Sequence, residues 1–162
     1  NRFENIKARR MLKDNKSNES DESANHYNSK SDRAQIEIIR LLIHNNSYAP
    51  NLDLSLFDNK LCYNIVKTIK DNVGKYKNVA QLIELIGESP EERNLVASLA
   101  IDIPKKSNEE TILNDCVKTL EDIKLKKEIS SIRNQIRIME ENDKEMDDDL
   151  LRKLESLQKK VL

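Results

Sequence analysis

Apolar residues recur at intervals of three and four along most of the chain, and the breaks between runs are marked by Asn, Ser, Gly or Pro. After Asp32, a side chain suited to an N-cap, Ala34, Ile36, Ile38, Ile39, Leu41, Leu42 and Ile43 make a segment too apolar all round for a surface helix. This predicts a helix central to a bundle, stopping at Asn45-Asn46-Ser47, with Pro50 preventing resumption. Leu52, Leu54 and Leu56 alternate as a strand does, but a lone short strand has no partner, so 51–56 is expected to be loop or a helical turn. A helix from about Asn59 to Asn72 carries Leu61, Ile65, Val66 and Ile69 and ends at Val73-Gly74, with Gly74 expected as its C′ residue. Asn78 caps a run through Val79, Leu82, Ile83, Leu85 and Ile86 that ends at Gly87. Ser89-Pro90-Glu91-Glu92 then combines a capping hydroxyl, proline at the first helical position and first-turn acids. That helix carries Leu95, Val96, Leu99 and Ile101 up to Ile103-Pro104, and Ser107 with Glu110 forms a capping box for the next.

The pattern changes in the last third of the chain. Leu113, Cys116, Val117, Leu120 and Ile123 lie on one helical stripe, whereas Leu125, Ile129, Ile132, Ile136 and Met139 lie on another. At about 100° per residue the two centres are roughly 140° apart, so one helix would have its halves buried against different things. Met146, Leu150, Leu154, Leu157 and Val161 supply a third stripe beyond a break at Glu141-Asn142-Asp143. The Asn142–Glu145 stretch suits a tight αα-hairpin, in which the second stripe zips against the third. The predicted seam is Ile129, Ile132, Ile136 and Met139 against Leu150, Leu154 and Leu157. The expected fold is all-α: a helical bundle over 32–123, connected through a long helix to a projecting C-terminal two-helix hairpin over 124–162.

Ahead of the bundle, residues 1–13 place Phe3, Ile6 and Leu12 on a basic background, while Asp14–Ser31 has almost nothing to bury. These segments are expected to be the tail of a preceding domain and a flexible linker; the alternative for 1–13 is a short basic amphipathic helix that binds phosphate. The start at Asn1 without a signal pattern suggests a fragment of a cytosolic protein.

Composition narrows the classes of function. The chain has 162 residues, 37% hydrophobic and 35% charged, with no Trp and two Phe, so its core is aliphatic and small for its length. A net charge of -1 gives no global reason to expect nucleic acid or an anionic membrane as partner, and no window is long and apolar enough to span a bilayer. Two glycines cannot build a phosphate cradle. Cys62 and Cys116 sit in apolar helical stretches without zinc spacing and are expected as core thiols. His26 falls in the linker, and His44 at a helix end suits the C-terminal dipole better than catalysis. The acids Asp143, Glu145, Asp147, Asp148 and Asp149 resemble a divalent-cation site, but they fall where a helix start favours acids, and a solvated cap is the expectation. Lys124, Lys126, Lys127, Arg133 and Arg137 alternate with acids as salt-bridged exposed faces do. Thus no catalytic residue, metal ligand or cofactor is expected here.

Two apolar residues depart from the stripes: Ile138 lies on the far side of its helix from the seam, and Leu151 lies off the Leu150, Leu154, Leu157 line. Scattered exposed apolar residues are ordinary. Equally, the two could form a docking surface for a helical partner.

The segment Leu113-Asn114-Asp115-Cys116-Val117-Lys118-Thr119-Leu120, followed by Leu125, Glu128-Ile129, Ile132, Ile136, Glu140 and Leu150 to Leu157, resembles the C-terminal end of bacterial replicative primases of the DnaG type. Asp32 to Ile43 is similar to that domain's first helix, and Phe57 with Tyr63-Asn64-Ile65-Val66 matches the family's next stretch. The likeness runs in order over 32–162 as a pattern of helix lengths and apolar positions. It implies a non-catalytic helicase-binding domain whose hairpin docks on the N-terminal domains of the hexameric replicative helicase in the bacterial cytoplasm. Helicase contacts would fall on Arg133, Arg137, Ile138, Leu151, Arg152 and Lys153, with no direct nucleic-acid contact and a monomer when alone. The family's RNA primer synthesis belongs to parts absent here: neither its Cys/His zinc pattern nor its Glu-Gly and Asp-x-Asp motifs is found. Two alternatives stand beside it. One is the N-terminal self-assembly domain of the helicase itself, which has a similar fold; the other is a domain with residual, metal-requiring nucleotidyltransferase activity.

Overall fold

A computed structural model describes residues 29–102 and 108–161. The basic segment 1–13, most of the linker with His26, and Ile103, Pro104 and Ser107 lie outside the described residues, as does Leu162. Among the described residues the chain is all-α, with no strand. Six α-helices follow in order: α1 (Lys30–His44), α2 (Lys60–Asp71), α3 (Val79–Leu85), α4 (Pro90–Ile101), α5 (Glu109–Glu141) and α6 (Asp148–Val161). Two 3₁₀ segments, Asn46–Asn51 and Leu54–Leu56, bridge α1 and α2.

Local chemistry accounts for most boundaries. Asn59 Oδ1 accepts from the Leu61 and Cys62 amides at the start of α2, and Asn78 Oδ1 accepts from Gln81 N at 2.9 Å at the start of α3. Ser89 faces the Glu92 amide with Pro90 in the first turn of α4, as its sequence signal requires. Gly87 takes φ +81° just past the cap of α3, the left-handed conformation a side chain disfavours. The helix α2 ends one turn-residue earlier than expected: Asn72 is its cap, donating from Nδ2 to Thr68 O at 2.8 Å, and Gly74 supplies φ +81° within the turn that follows.

The start of α1 differs from the expectation. Its cap is Ser29, whose Oγ accepts from Asp32 N at 2.9 Å and donates to Asp32 Oδ2 at 2.6 Å, so Asp32 is the third helical residue rather than the cap. The hydroxyl thus caps the third amide of the helix while its own proton goes to the acid at that position, where a carboxylate also faces the positive end of the helix dipole. The expected loop or turn at 51–56 is 3₁₀ structure. Asn45 Oδ1 holds Ser47 N at 3.2 Å, Asp53 Oδ1 holds Ser55 N at 2.9 Å, and Pro50 sits inside the first segment.

From Ala34 onward the helices form one compact unit. Its main apolar cluster joins α1, both 3₁₀ segments, α2, α3, α4 and the first third of α5, through Leu113 and Leu120. Ile38, Ile39, Leu41 and Leu42 are all buried and together cover about 160° of α1, while Glu37 and Arg40 pair with each other on the other side, so α1 buries one broad face rather than its whole circumference. Burying each such side chain contributes about 1.5 to 3 kcal/mol. At Gln35 the interior admits a polar group, and each end is satisfied: Nε2 donates to Asp58 Oδ1 at 2.6 Å and Oε1 accepts from Asn59 N at 3.2 Å.

Candidate functional site

The 33 residues of α5 span about 50 Å at 1.5 Å per residue, more than the main cluster covers. Past Leu120 the buried face turns. Ile129, Ile132 and Leu157 form a second, separate cluster, with Leu125, Ile136, Leu150 and Leu154 packed around it. These are six of the seven predicted seam residues together with Leu125; Met139 is half-buried and stands outside the cluster. Val161, which continues the third stripe, is 50% exposed and so is only partly covered by α5.

The turn that folds α6 back is built by backbone geometry. Asn142 ends α5, Asp143 adopts φ +49°, and its amide reaches Glu140 O at 3.2 Å while the Lys144 amide reaches Met139 O at 3.0 Å. This pair of bonds is a Schellman motif, which satisfies two carbonyls that the helix end would otherwise leave open. Asp147 Oδ1 then accepts from Asp149 N at 2.9 Å, so part of the acidic run does serve the start of α6. Among the described residues no group of three or more His, Cys, Asp or Glu converges as metal ligands would.

The two edges of the helix pair differ. Lys153 Nζ lies 3.2 Å from Glu128 Oε1 and bridges one edge. The other holds a groove of about 560 Å³ lined by Lys126, Ile129, Ser130, Arg133, Gln158 and Val161. Of the six expected contact residues, Arg133 is on this groove, while Arg137 is engaged with Glu141 at 2.7 Å and Asn134 at 2.9 Å. Lys153 forms the bridge on the opposite edge, and Arg152 is exposed. Ile138 and Leu151 are both exposed, at 44% and 36%. They do not share a face. Ile138 is nine residues from Ile129, about 180° around α5, whereas Leu151 is seven residues from Gln158 and lies on the same stripe of α6 as that groove residue.

A polar set that local pattern does not reveal ties the middle of α5 to the segment before α2. Lys124 Nζ donates to Ser55 Oγ at 2.7 Å, and Lys127 Nζ meets Asp58 Oδ2 at 2.6 Å, the same carboxylate that Gln35 holds by its other oxygen. Lys70 Nζ donates to Leu52 O at 2.6 Å on the same segment. Hydrogen bonds from the Ser55 side chain and amide, with Lys124 and Lys70 nearby, hold the Asp53 carboxyl below the usual carboxylate range. Lys124 and Lys127 therefore serve as long-range ties rather than as members of an alternating surface ladder. Exposed pairs of this kind are worth at most about 1 kcal/mol each, so they set register more than stability. The one available signal was Gln35, a polar residue one turn before Ile38 and Ile39 on a buried face.

The remaining candidates for chemistry have structural roles. His44 closes α1 with Nε2 3.1 Å from Asp102 O, a contact that needs the proton on that nitrogen. Cys62 is buried and Cys116 half-buried. Among the described residues no helix is long and apolar enough to cross a membrane. No family model, curated protein or solved structure matches the chain.

Proposed function

We propose that this is a non-catalytic interaction domain that joins a bacterial DnaG-type primase to its hexameric replicative helicase, docking through the helix pair made by distal α5 and α6. The reading is supported by the ordered resemblance over 32–162. The observation that carries it is the second apolar cluster, self-contained at Ile129, Ile132 and Leu157, which leaves Leu151 and Ile138 exposed on a helix pair with its own packing. A helix pair that is folded by its own seam can offer its outer residues to a partner without unmaking the main core. On this reading the domain acts in the bacterial cytoplasm at the replication fork, needs no cofactor, and leaves primer synthesis to the rest of the primase.

Calorimetry with the hexameric helicase of the same organism tests it directly. Saturable binding is expected, weakened by Leu151→Asp or Ile138→Asp with the helical circular dichroism unchanged. If the unaltered chain shows no binding at helicase concentrations of tens of micromolar, or if it sediments alone as a stable dimer or hexamer, the reading is wrong. The second result would favour the helicase's own assembly domain.

A further inference from the structure

The groove on the open edge of the helix pair has a defined chemistry. Its apolar lining is Ile129 of α5, 7% exposed where it enters the second cluster, and Val161 of α6, half exposed. Lys126 and Arg133, seven residues apart and so on one stripe of α5, stand along its rim. Unlike Arg137 and Lys153, which are bridged to Glu141 and Glu128, these two cations form no ion pair among the described residues. On the α6 side the stripe through Gln158 continues to Leu151, one further exposed apolar side chain.

We propose that this groove takes an acidic amphipathic helix of the partner protein, its apolar side chains seated on Val161 and Leu151 and its carboxylates facing Lys126 and Arg133. The inference rests on the docking role proposed above and narrows it to one edge and one chemistry. Covering the groove removes apolar surface from water, but it also covers two unpaired cations, and only a partner that meets them with carboxylates avoids stranding buried charge. Two parallel rails, one basic and one apolar, match a helix with the complementary edges. Phosphate-bearing partners fit less well. The chain has no aromatic residue after Tyr76 on which bases could stack.

The test is an NMR titration of the full chain with a helical peptide of about 15 residues, with Leu along one edge and Glu along the other, and with a twin in which Lys replaces Glu. A single-stranded oligonucleotide and anionic phosphatidylglycerol vesicles serve as rival probes. The expected result is saturable movement of the Ser130, Arg133 and Gln158 amides with the Glu peptide, about tenfold weaker binding of the Lys twin, and reversed preference in the double variant Lys126→Glu, Arg133→Glu. Absence of saturable shifts, equal binding of the two peptides, or movement of these amides by oligonucleotide or vesicles but not by the peptide would overturn the proposal. Helicase binding separates the two readings: full affinity in the double variant sinks the groove and leaves the docking role standing. Absence of helicase binding by the unaltered chain sinks the docking role, and the peptide titration still decides the groove.

Discussion

Cys116 shows how far a single side chain's surroundings determine its chemistry. Burial first, then the carboxylates of Glu37 and Asp115, raise its thiol above the ordinary value. A thiolate is the reactive form, so this cysteine is poorly nucleophilic at neutral pH, and Cys62, wholly buried in α2, is inaccessible. With a disulfide-exchange reagent at pH 8, Cys116 should react several-fold more slowly than a cysteine in an unstructured peptide, and Cys62 should react only in denaturant. Because folding raises the pKa of Cys116, the stability linked to that thiol is intact below the ordinary thiol value of about 8.5 and is lost as the pH climbs through the raised one. Rapid modification of both thiols in the folded chain would contradict this placement. Gln35 illustrates the opposite case, a buried group that carries no charge and is hydrogen-bonded at both ends, to Asp58 and Asn59.

At the scale of the element, the end of α5 is held by backbone bonds that demand a left-handed residue, and the residue supplied is Asp143 rather than glycine. A side chain there costs about 1 kcal/mol against glycine, and a carboxylate at a helix C-terminus adds an unfavourable interaction with the dipole. Asp143→Gly should therefore stabilise the chain by roughly 0.5 to 1 kcal/mol in denaturant unfolding, offset in part by glycine's greater unfolded-state freedom. A loss of stability would mean that the carboxylate makes a contact at the turn that outweighs its backbone strain. Elements governed by such local rules were the legible ones. The caps at Asn59, Asn78 and Ser89, the stop at Gly87, and the shift of stripe between Ile123 and Leu125 can each be found within a few residues of where they act. The cap of α1 was misplaced because Ser29 and Asp32 are both good caps, and only the reciprocal bond between them decides their roles. The ties from Lys124 and Lys127 were invisible for a different reason: their partners Ser55 and Asp58 are 69 residues away, and a lysine on an exposed helical face carries no mark of such a partner. The groove was likewise hidden, because it depends on the alignment of Lys126 and Arg133 with Gln158 across two helices.

At the scale of the molecule, α5 belongs to two apolar clusters, and the partition has a mechanical consequence. Leu113 and Leu120 are buried in the main cluster, whereas Ile129 and Ile132 are covered by Leu150, Leu154 and Leu157 of α6. Deleting Asp143–Leu162 removes that cover and strips the distal half of α5 of its only apolar partner among the described residues. Isolated helical segments of that length are marginal in water, so the loss of helix should exceed the 14 residues of α6 itself. The main cluster keeps every one of its buried side chains, and Lys124 and Lys127 still tie α5 to Ser55 and Asp58. The truncated chain should therefore unfold cooperatively, with amide protection retained in Ile38–Leu42 and Ile65–Ile69 and lost beyond about Lys127. Leu120→Ala, in contrast, should cost about 2 to 5 kcal/mol in the main transition, while Ile132→Ala should chiefly lower protection in distal α5 and α6. Hydrogen exchange on the three variants distinguishes this from a single cooperative core. If truncation abolished protection in α1 and α2 as well, the two clusters would be one folding unit, and the helix pair could not serve as a separately folded docking element.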